Sequence, residues 1–419
     1  MRELEFQAAD WEETSLGDLC TFRGGNGFKE EHQGQSVGDF PFIKVSDLTL
    51  PGNEKHITNA QNWVSEAVLK KLRATLHPEG AVVFAKVGAA LKLNRRRILS
   101  RPTAIDNNMM AAIPDRERID ADFLYYFLLT QDLGRFSQES AVPSVNQGHL
   151  ASIDIGLPPL PEQRKIAEIL RTWDEAIEKL EALRAAKLRR HRALTHSLVF
   201  GTRQLDRFRT TGEVAAHRWF TLPATWGIKP IGKLAREISE RNGDGEQHEV
   251  LSCSKYDGFV RSLEYFKKQV FSADLSGYKK IWRGDFGFPS NHVEEGSIGL
   301  QNLTNVGVVS PIYTVFRFAP EKVDADYAFA VLKTGLYRHI FEVSTSASVD
   351  RRGSLRWSEF SKLPFPLPSL AEQRAIAEVL RTAQTDLDAL NTEIEALSRQ
   401  KRGLMQKLLT GEWRVKVEG

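Results

Sequence analysis

Only two cysteines, Cys20 and Cys253, occur in 419 residues. They are too few and too far apart for a disulfide framework, which fits a reducing compartment. No run approaches the roughly 18 uninterrupted apolar residues of a membrane helix, so no membrane partner is expected. The opening stretch MRELEFQAADWEETS is acidic and has no apolar centre, unlike a secretory leader. The expected location is the cytoplasm. Chemistry of the chain's own is equally scarce. No GxxxxGK[ST] loop is present, so nucleotide hydrolysis is not expected here. The glycines of FRGGNGF (22–28) lack the spacing of a cofactor loop and read as a turn. There is no Asn/Asp-Pro-Pro-aromatic motif of the kind adenine methylation requires. The ten histidines are scattered, with no metal-ligand spacing. The charged stretch PDRER (114–118) reads as a turn before a helix. No catalytic residue, no metal and no cofactor of its own are expected.

What the chain has is enough apolar content to build cores, 41% against 26% charged, and a length that suggests two to four domains. A net charge of +3 is too mild to name a partner. The informative feature is a repeat. Residues 157–201, opening LPPLPEQRKIAEILRTW, lie without a gap on 367–411, opening LPSLAEQRAIAEVLRTA, with 19 of 45 positions identical. Both copies predict long helices. Pro161 suits a first helical position and Glu162 the positive end of the helix dipole, and Gly201 and Gly411 stand where a C-terminal cap belongs. Ile166, Leu170, Trp173, Ile177, Leu180, Arg184, Lys187, His191, Leu194 and Leu198 alternate at spacings of four and three. Seven of these ten are apolar, as are nine of the equivalent ten from Ile376 to Leu408. That is a narrow seam at the coiled-coil period, spanning roughly 48 Å at 1.5 Å per residue. Two matched seams in one chain are expected to pack on each other. The cations Arg184, Lys187, Arg189, Arg190, Arg192 and Arg203 have no acid among them and read as a solvated helix end.

Each helix follows a block of different texture, in which short Val/Ile/Phe-rich runs such as FPFIKVSDL (40–48), GAVVFAKVG (80–88) and GVVSPIYTVFRF (307–318) alternate with turn residues. Each block holds one internal helix, predicted over 121–136 and 325–340, with Asp120-Ala121-Asp122 lying over Asp324-Ala325-Asp326 at an offset of 204. Near the block ends, 144–160 lies over 354–370. The whole half is thus duplicated, and the halves have diverged outside the helices and a few framework points. Such a chain is organised like a bivalent reader.

The repeated LPPLPEQRKIAEIL opening, each time closing a half of some 200 residues, resembles the specificity subunit of type I restriction-modification systems. SLGDLCTFRGGNG with DFPFIKVSDLT (15–49) is similar to that family's start of a target-recognition domain, HPEGAVVFAKVGAALKLN (77–94) to its central strand-and-loop element, and WGIKPIGKLAREIS (226–239) to the start of the second half. Residues 284–302 keep only part of the pattern. The resemblance implies an α+β fold with two mixed α/β target-recognition domains, separated by two long conserved helices that form an antiparallel coiled coil with a pseudo-twofold internal repeat. It implies domains at 1–157 and 204–367, with helices at 158–203 and 368–414. It also implies a bipartite double-stranded DNA target and two modification (methyltransferase) subunits carrying S-adenosylmethionine. Restriction subunits would add ATP- and Mg-dependent translocation and cleavage. The chain itself would be non-catalytic.

Reading DNA takes cations for phosphates and amides or arginines for base edges. In the first domain Lys86, Lys92, Arg95, Arg96 and Arg97 cluster around a strand and loop, with Asn107 and Asn108 beyond. Gly25, Asn26 and Lys29 form a glycine-rich loop, and Asn146, Gln147 and His149 an amide-rich one before the long helix. In the second domain the candidates are Lys279, Lys280, Asn291, His292, Arg351, Arg352 and Arg356. Glu162, Gln163 and Arg164, with Glu372, Gln373 and Arg374, read as frame and partner-docking residues. Two other classes compete with this reading. A stand-alone methyltransferase or nuclease would act without partners, and a coiled-coil scaffold would bind no DNA.

Overall fold

The computed structural model describes residues 8–136, 143–210, 212–243, 247–291, 293–345 and 354–416. Two helices of 40 residues dominate it, Leu160–Val199 and Leu370–Leu409. The chain divides into two compact units, 1–181 with 392–419, and 182–391. Each unit therefore takes one globular block, the first half of one long helix and the last half of the other.

Within each unit the two helical halves run antiparallel. In the first, Ile166 and Leu170 of one helix share a core with Leu408 and Leu409 of the other. In the second, Leu198 and Val199 share a core with Ile376 and Leu380. The seam positions face inward as their period requires. All ten from Ile376 to Leu408 are buried or half-buried, and in the first helix only Arg184 of the ten is exposed.

The first block builds a five-stranded sheet in the order Cys20–Gly24, Met109–Pro114, Val82–Ala85, Arg96–Leu99, His56–Ile57. Beside it lies a four-stranded sheet of Trp63–Val64, Phe40–Ile43, Thr103–Ile105 and Leu76–His77. The second block repeats the first sheet as Ala235–Ile238, Tyr313–Phe318, Phe286–Pro289, Gly299–Leu300, and adds a sheet of Gly258–Arg261, Glu249–Ser254, Val306–Val309 and Lys279–Trp282. A shift of 204 positions carries Val82–Ala85 onto Phe286–Pro289 and Met109–Pro114 onto Tyr313–Phe318. Val82–Ala85 is buried at every position, as a strand covered on both faces must be. The helices Ala121–Thr130 and Ala325–Leu332 start at Asp120 and Asp324, whose carboxylates accept from the first free backbone N–H groups.

The glutamine of the repeated Glu-Gln-Arg holds these parts together. Gln163 is fully buried. Its Oε1 accepts from Asp120 N at 2.8 Å, and its Nε2 donates to Arg118 O at 2.9 Å and Pro158 O at 2.8 Å. Gln373 makes the same three bonds, from Asp324 N at 2.9 Å and to Lys322 O at 3.1 Å and Pro368 O at 3.0 Å. One amide thus ties the start of each long helix to the cap of the block's own helix, with every polar atom satisfied. Side chains spent in this way cannot also dock a partner, which corrects the expectation for Gln163 and Gln373.

Candidate nucleic-acid interface

Three segments of the first unit meet at one end of its five-stranded sheet. Lys86, just past the strand Val82–Ala85, donates its N–H to Asn108 O at 2.9 Å, and its carbonyl accepts from Val145 N at 3.0 Å. Asn107 and Asn108 are exposed in the turn before the strand Met109–Pro114. The Asn108 amide also donates to Asp106 Oδ1 at 2.7 Å. Asn146 caps the short helix Gln147–Ala151, its Oδ1 accepting from His149 N at 2.8 Å, and Asn146 and Gln147 are exposed. Gly24 adjoins this edge, since a Cβ there would lie 3.1 Å from Lys86 Nζ. The edge offers one ammonium and several amides, the groups that contact phosphates and base edges. Of the remaining candidates, Lys29, Lys92 and Arg95 are exposed, and Arg97 is half-buried with Nη1 donating to Arg96 O at 2.7 Å.

Other sequence candidates have internal duties. Arg96 is 1% exposed, its guanidinium 5.0 Å from the centre of the Phe84 ring, and burial pushes its pKa down to about 9. It is part of the core, with almost no surface to offer a phosphate, which corrects that expectation. The Asn26 amide bridges Arg73 O at 3.1 Å and Thr75 N at 2.9 Å. Gly25 is required by packing, because a Cβ there would fall 2.1 Å from Ile105 O. His149 is half-buried, with Nδ1 facing no partner among the described residues.

In the second unit the same edge is built from different side chains. Ser290 takes the place of Lys86: its N–H reaches Ile312 O at 3.4 Å and its carbonyl accepts from Leu355 N at 2.8 Å. Pro311 and Ile312 stand where the first unit has Asn107 and Asn108, and Ile312 is 46% exposed. Arg356 holds the position of Asn146, at the start of the short helix Trp357–Phe360, and is exposed. Asn291 lies beside Ser290, half-buried, with Oδ1 lacking a partner among the described residues. The sequence candidates Lys279 and Lys280 lie elsewhere. Lys279 Nζ donates to Tyr313 O at 2.6 Å, with its pKa lowered by burial, and Lys280 pairs with Glu240 at 3.6 Å. Both are engaged inside the unit. His292, Arg351 and Arg352 lie outside the described residues. Sequence reasoning passed over Ser290, Pro311 and Ile312 because they carry no charge or amide, although the 204-residue offset from Lys86, Asn107 and Asn108 points straight at them.

The helix starts differ more subtly. One edge of the Arg414 guanidinium, Nε and Nη2, donates to the two carboxylate oxygens of Glu162, at 2.9 and 3.0 Å. Among the described residues, the Glu372 carboxylate has only Trp226 Nε1, at 3.1 Å, and burial raises its pKa against that bond. Arg164 and Arg374, next in line, are exposed.

Residues 8–188 match the family of type I restriction modification DNA specificity domains. The MjaVIII specificity subunit, of a type I restriction enzyme of Methanocaldococcus jannaschii, is 24% identical over 97% of this chain and 94% of its own length. Residues 8–188 thus carry a type I restriction modification DNA specificity domain. The EcoR124I/EcoR124II specificity subunit of Escherichia coli is 23% identical over 41% of this chain and 43% of its own. In fold, the chain is similar to the crystal structure of a type I restriction-modification S subunit from M. genitalium, with a TM-score of 0.55 at 12% identity, covering 97% of this chain and 99% of that one. These likenesses fit the two units described above, alike in frame and unlike at one sheet edge. Among the described residues there is no group of His, Cys, Asp or Glu placed to hold a metal, and no helix long and apolar enough to cross a membrane.

Proposed function

We propose that this chain is the sequence-specific DNA-binding subunit of a type I restriction-modification complex, reading a bipartite target with one half-site per unit. The observation that carries the reading is the pairing of an identical frame with a divergent edge. Gln163 and Gln373 make the same three bonds, while the residues at 86, 107, 108 and 146 differ in kind from those at 290, 311, 312 and 356. A protein that needed one surface twice would have kept both edges alike.

In this reading the chain works in the cytoplasm and supplies recognition alone. Two modification subunits bring S-adenosylmethionine and methylate adenine, and restriction subunits bring ATP-driven translocation and cleavage. The exposed Arg164 and Arg374, anchored by the buried glutamines beside them, are offered to those partners at equivalent places in the two units. The two continuous helices set the spacing of the half-sites. The test is to map adenine methylation by the assembled complex, first with the natural chain and then with one heptad added to each long helix at matching points. The expected outcome is a two-part motif whose half-sites persist in the lengthened protein while the spacer changes. An unchanged spacer overturns the ruler, and methylation without a two-part motif overturns the reading itself.

A further inference from the structure

Arg356 occupies a position where its counterpart is chosen for a local reason that Arg356 does not serve. In the first unit the residue opening the short helix is Asn146, whose Oδ1 accepts the His149 N–H. Asn, Asp and Ser are the residues that helix starts favour, because a short side chain with an acceptor can fold back onto a free amide. Arginine has no acceptor, and the helix Trp357–Phe360 accordingly has no side-chain cap bond. Among the described residues of the unit, nothing uses the guanidinium in compensation. It is exposed and has no partner among the described residues. The nearest acid in sequence, Glu359, pairs with Lys362 at 2.8 Å. A helix start that gives up its cap and leaves five donors in solvent departs from local rules without structural gain, which marks a functional position.

The surroundings narrow the chemistry. The edge beside Arg356 is formed by Ser290 and Ile312, joined through Leu355 N to Ser290 O and Ser290 N to Ile312 O; Ser290, Pro311 and Ile312 replace the ammonium and the two turn asparagines of the first unit, and Asn291 beside them is half-buried. A planar fork of donors on an edge that carries no other charge at Ser290, Pro311 and Ile312 matches the two acceptors of guanine, O6 and N7, which arginine reads bidentately in the major groove. We propose that Arg356 is the side chain by which the second unit specifies a guanine in its half-site. The proposal rests on the DNA-reading function above and adds to it a residue, a base and a half-site.

The experiment recovers bound duplexes from a randomised pool with the full chain, its Arg356→Asn variant and its Arg356→Lys variant, at several salt concentrations. Asparagine restores the cap of the first unit, so the Asn variant is expected to unfold no earlier than the natural chain. It should lose the preference for guanine at one position of one half-site by ~10- to 100-fold and leave the other half-site untouched. Lysine, unable to form the fork, should keep a weakened preference at that position. An unchanged motif in the Asn variant overturns the proposal. So does a uniform loss of affinity with a salt slope reduced by about one, which would make Arg356 a phosphate contact. If the natural chain itself selects no two-part motif, the functional reading fails first and visibly.

Discussion

The start of each long helix and the sheet edge of each unit lie in the same duplicated half, yet they diverged by opposite rules. At the helix start, three hydrogen bonds around a buried glutamine are reproduced with the same donors and acceptors. At the edge, the backbone bonds are reproduced, but Lys86, Asn107, Asn108 and Asn146 become Ser290, Pro311, Ile312 and Arg356. A buried amide with three partners leaves no substitution that satisfies all of them, whereas an exposed side chain on a fixed backbone is free to change. Duplication therefore kept what the fold constrains and released what faces outward.

The sharpest test breaks the frame. Gln163→Leu leaves Asp120 N, Arg118 O and Pro158 O without their side-chain partner. At about 1–3 kcal/mol for a buried polar group left unsatisfied, a loss of ~3–6 kcal/mol in urea unfolding is expected. Gln373→Leu should cost a similar amount, because its bonds match. Unequal losses would show that the two frames are alike in geometry but not in energy.

The fold was largely legible because the frame repeats: the seam period, the Asp120/Asp324 helix starts and the 204-residue offset all follow from residues under packing constraint. The interface was legible only in part. Charge drew attention to Arg96 and Lys279, but burial and a backbone carbonyl claim them. It passed over Ser290 and Ile312, whose importance comes from where the strand ends put them. Sequence patterning reports which side chains are apolar or charged, whereas an interface depends on which backbone turns share an edge.

A second comparison sets His77 against Ile281, its counterpart at the same offset. Both are fully buried, but only one titrates. Burial, helped by the charge of Arg23, lowers the pKa of His77 from 6.5 to about 4. The unfolded chain takes up a proton near 6.5 and the folded chain resists to about 4. The stability linked to this group is thus whole above pH 6.5 and lost as pH falls toward 4. At 1.36 kcal/mol per pKa unit the loss is about 3 kcal/mol. His77→Ile, borrowing the residue of the second unit, should unfold at least as late at pH 7.5 and flatten the decline measured by thermal unfolding between pH 6.5 and 4. A decline equally steep in the variant would assign acid sensitivity elsewhere.

The units also differ in what pins the long helices. In the first, Tyr126 Oη donates to Asp174 at 2.5 Å, and Lys401 pairs with the same carboxylate. In the second, Ala330 and Gln384 stand at the matching places, and stacked rings fill the core, with Phe286 and Phe316 centred 5.3 Å apart. Asp174→Asn is expected to cost about 1–2 kcal/mol, since it weakens one charge-assisted bond and one half-buried pair. Gln384→Ala, on an exposed surface, should stay within about 0.5 kcal/mol. Urea unfolding of the two variants separates a polar pin from an apolar one.

The smallest effect discriminates two neighbours in one basic run. Arg95 is exposed and Arg96 is 1% exposed, so consecutive arginines with the same formal charge should respond differently to salt. If Arg95 faces a phosphate, Arg95→Ala weakens binding to all duplexes alike, by a few-fold, and lowers the slope of log affinity against log salt by about one. Arg96→Met keeps the length of a buried side chain, removes a charge that contacts no solvent, and should leave that slope unchanged while altering only the unfolding midpoint. A salt slope that falls equally in both variants would mean that the edge reads the summed charge of the run rather than the side chains it exposes. In that case, divergence between the two edges would reflect field strength before it reflected recognition.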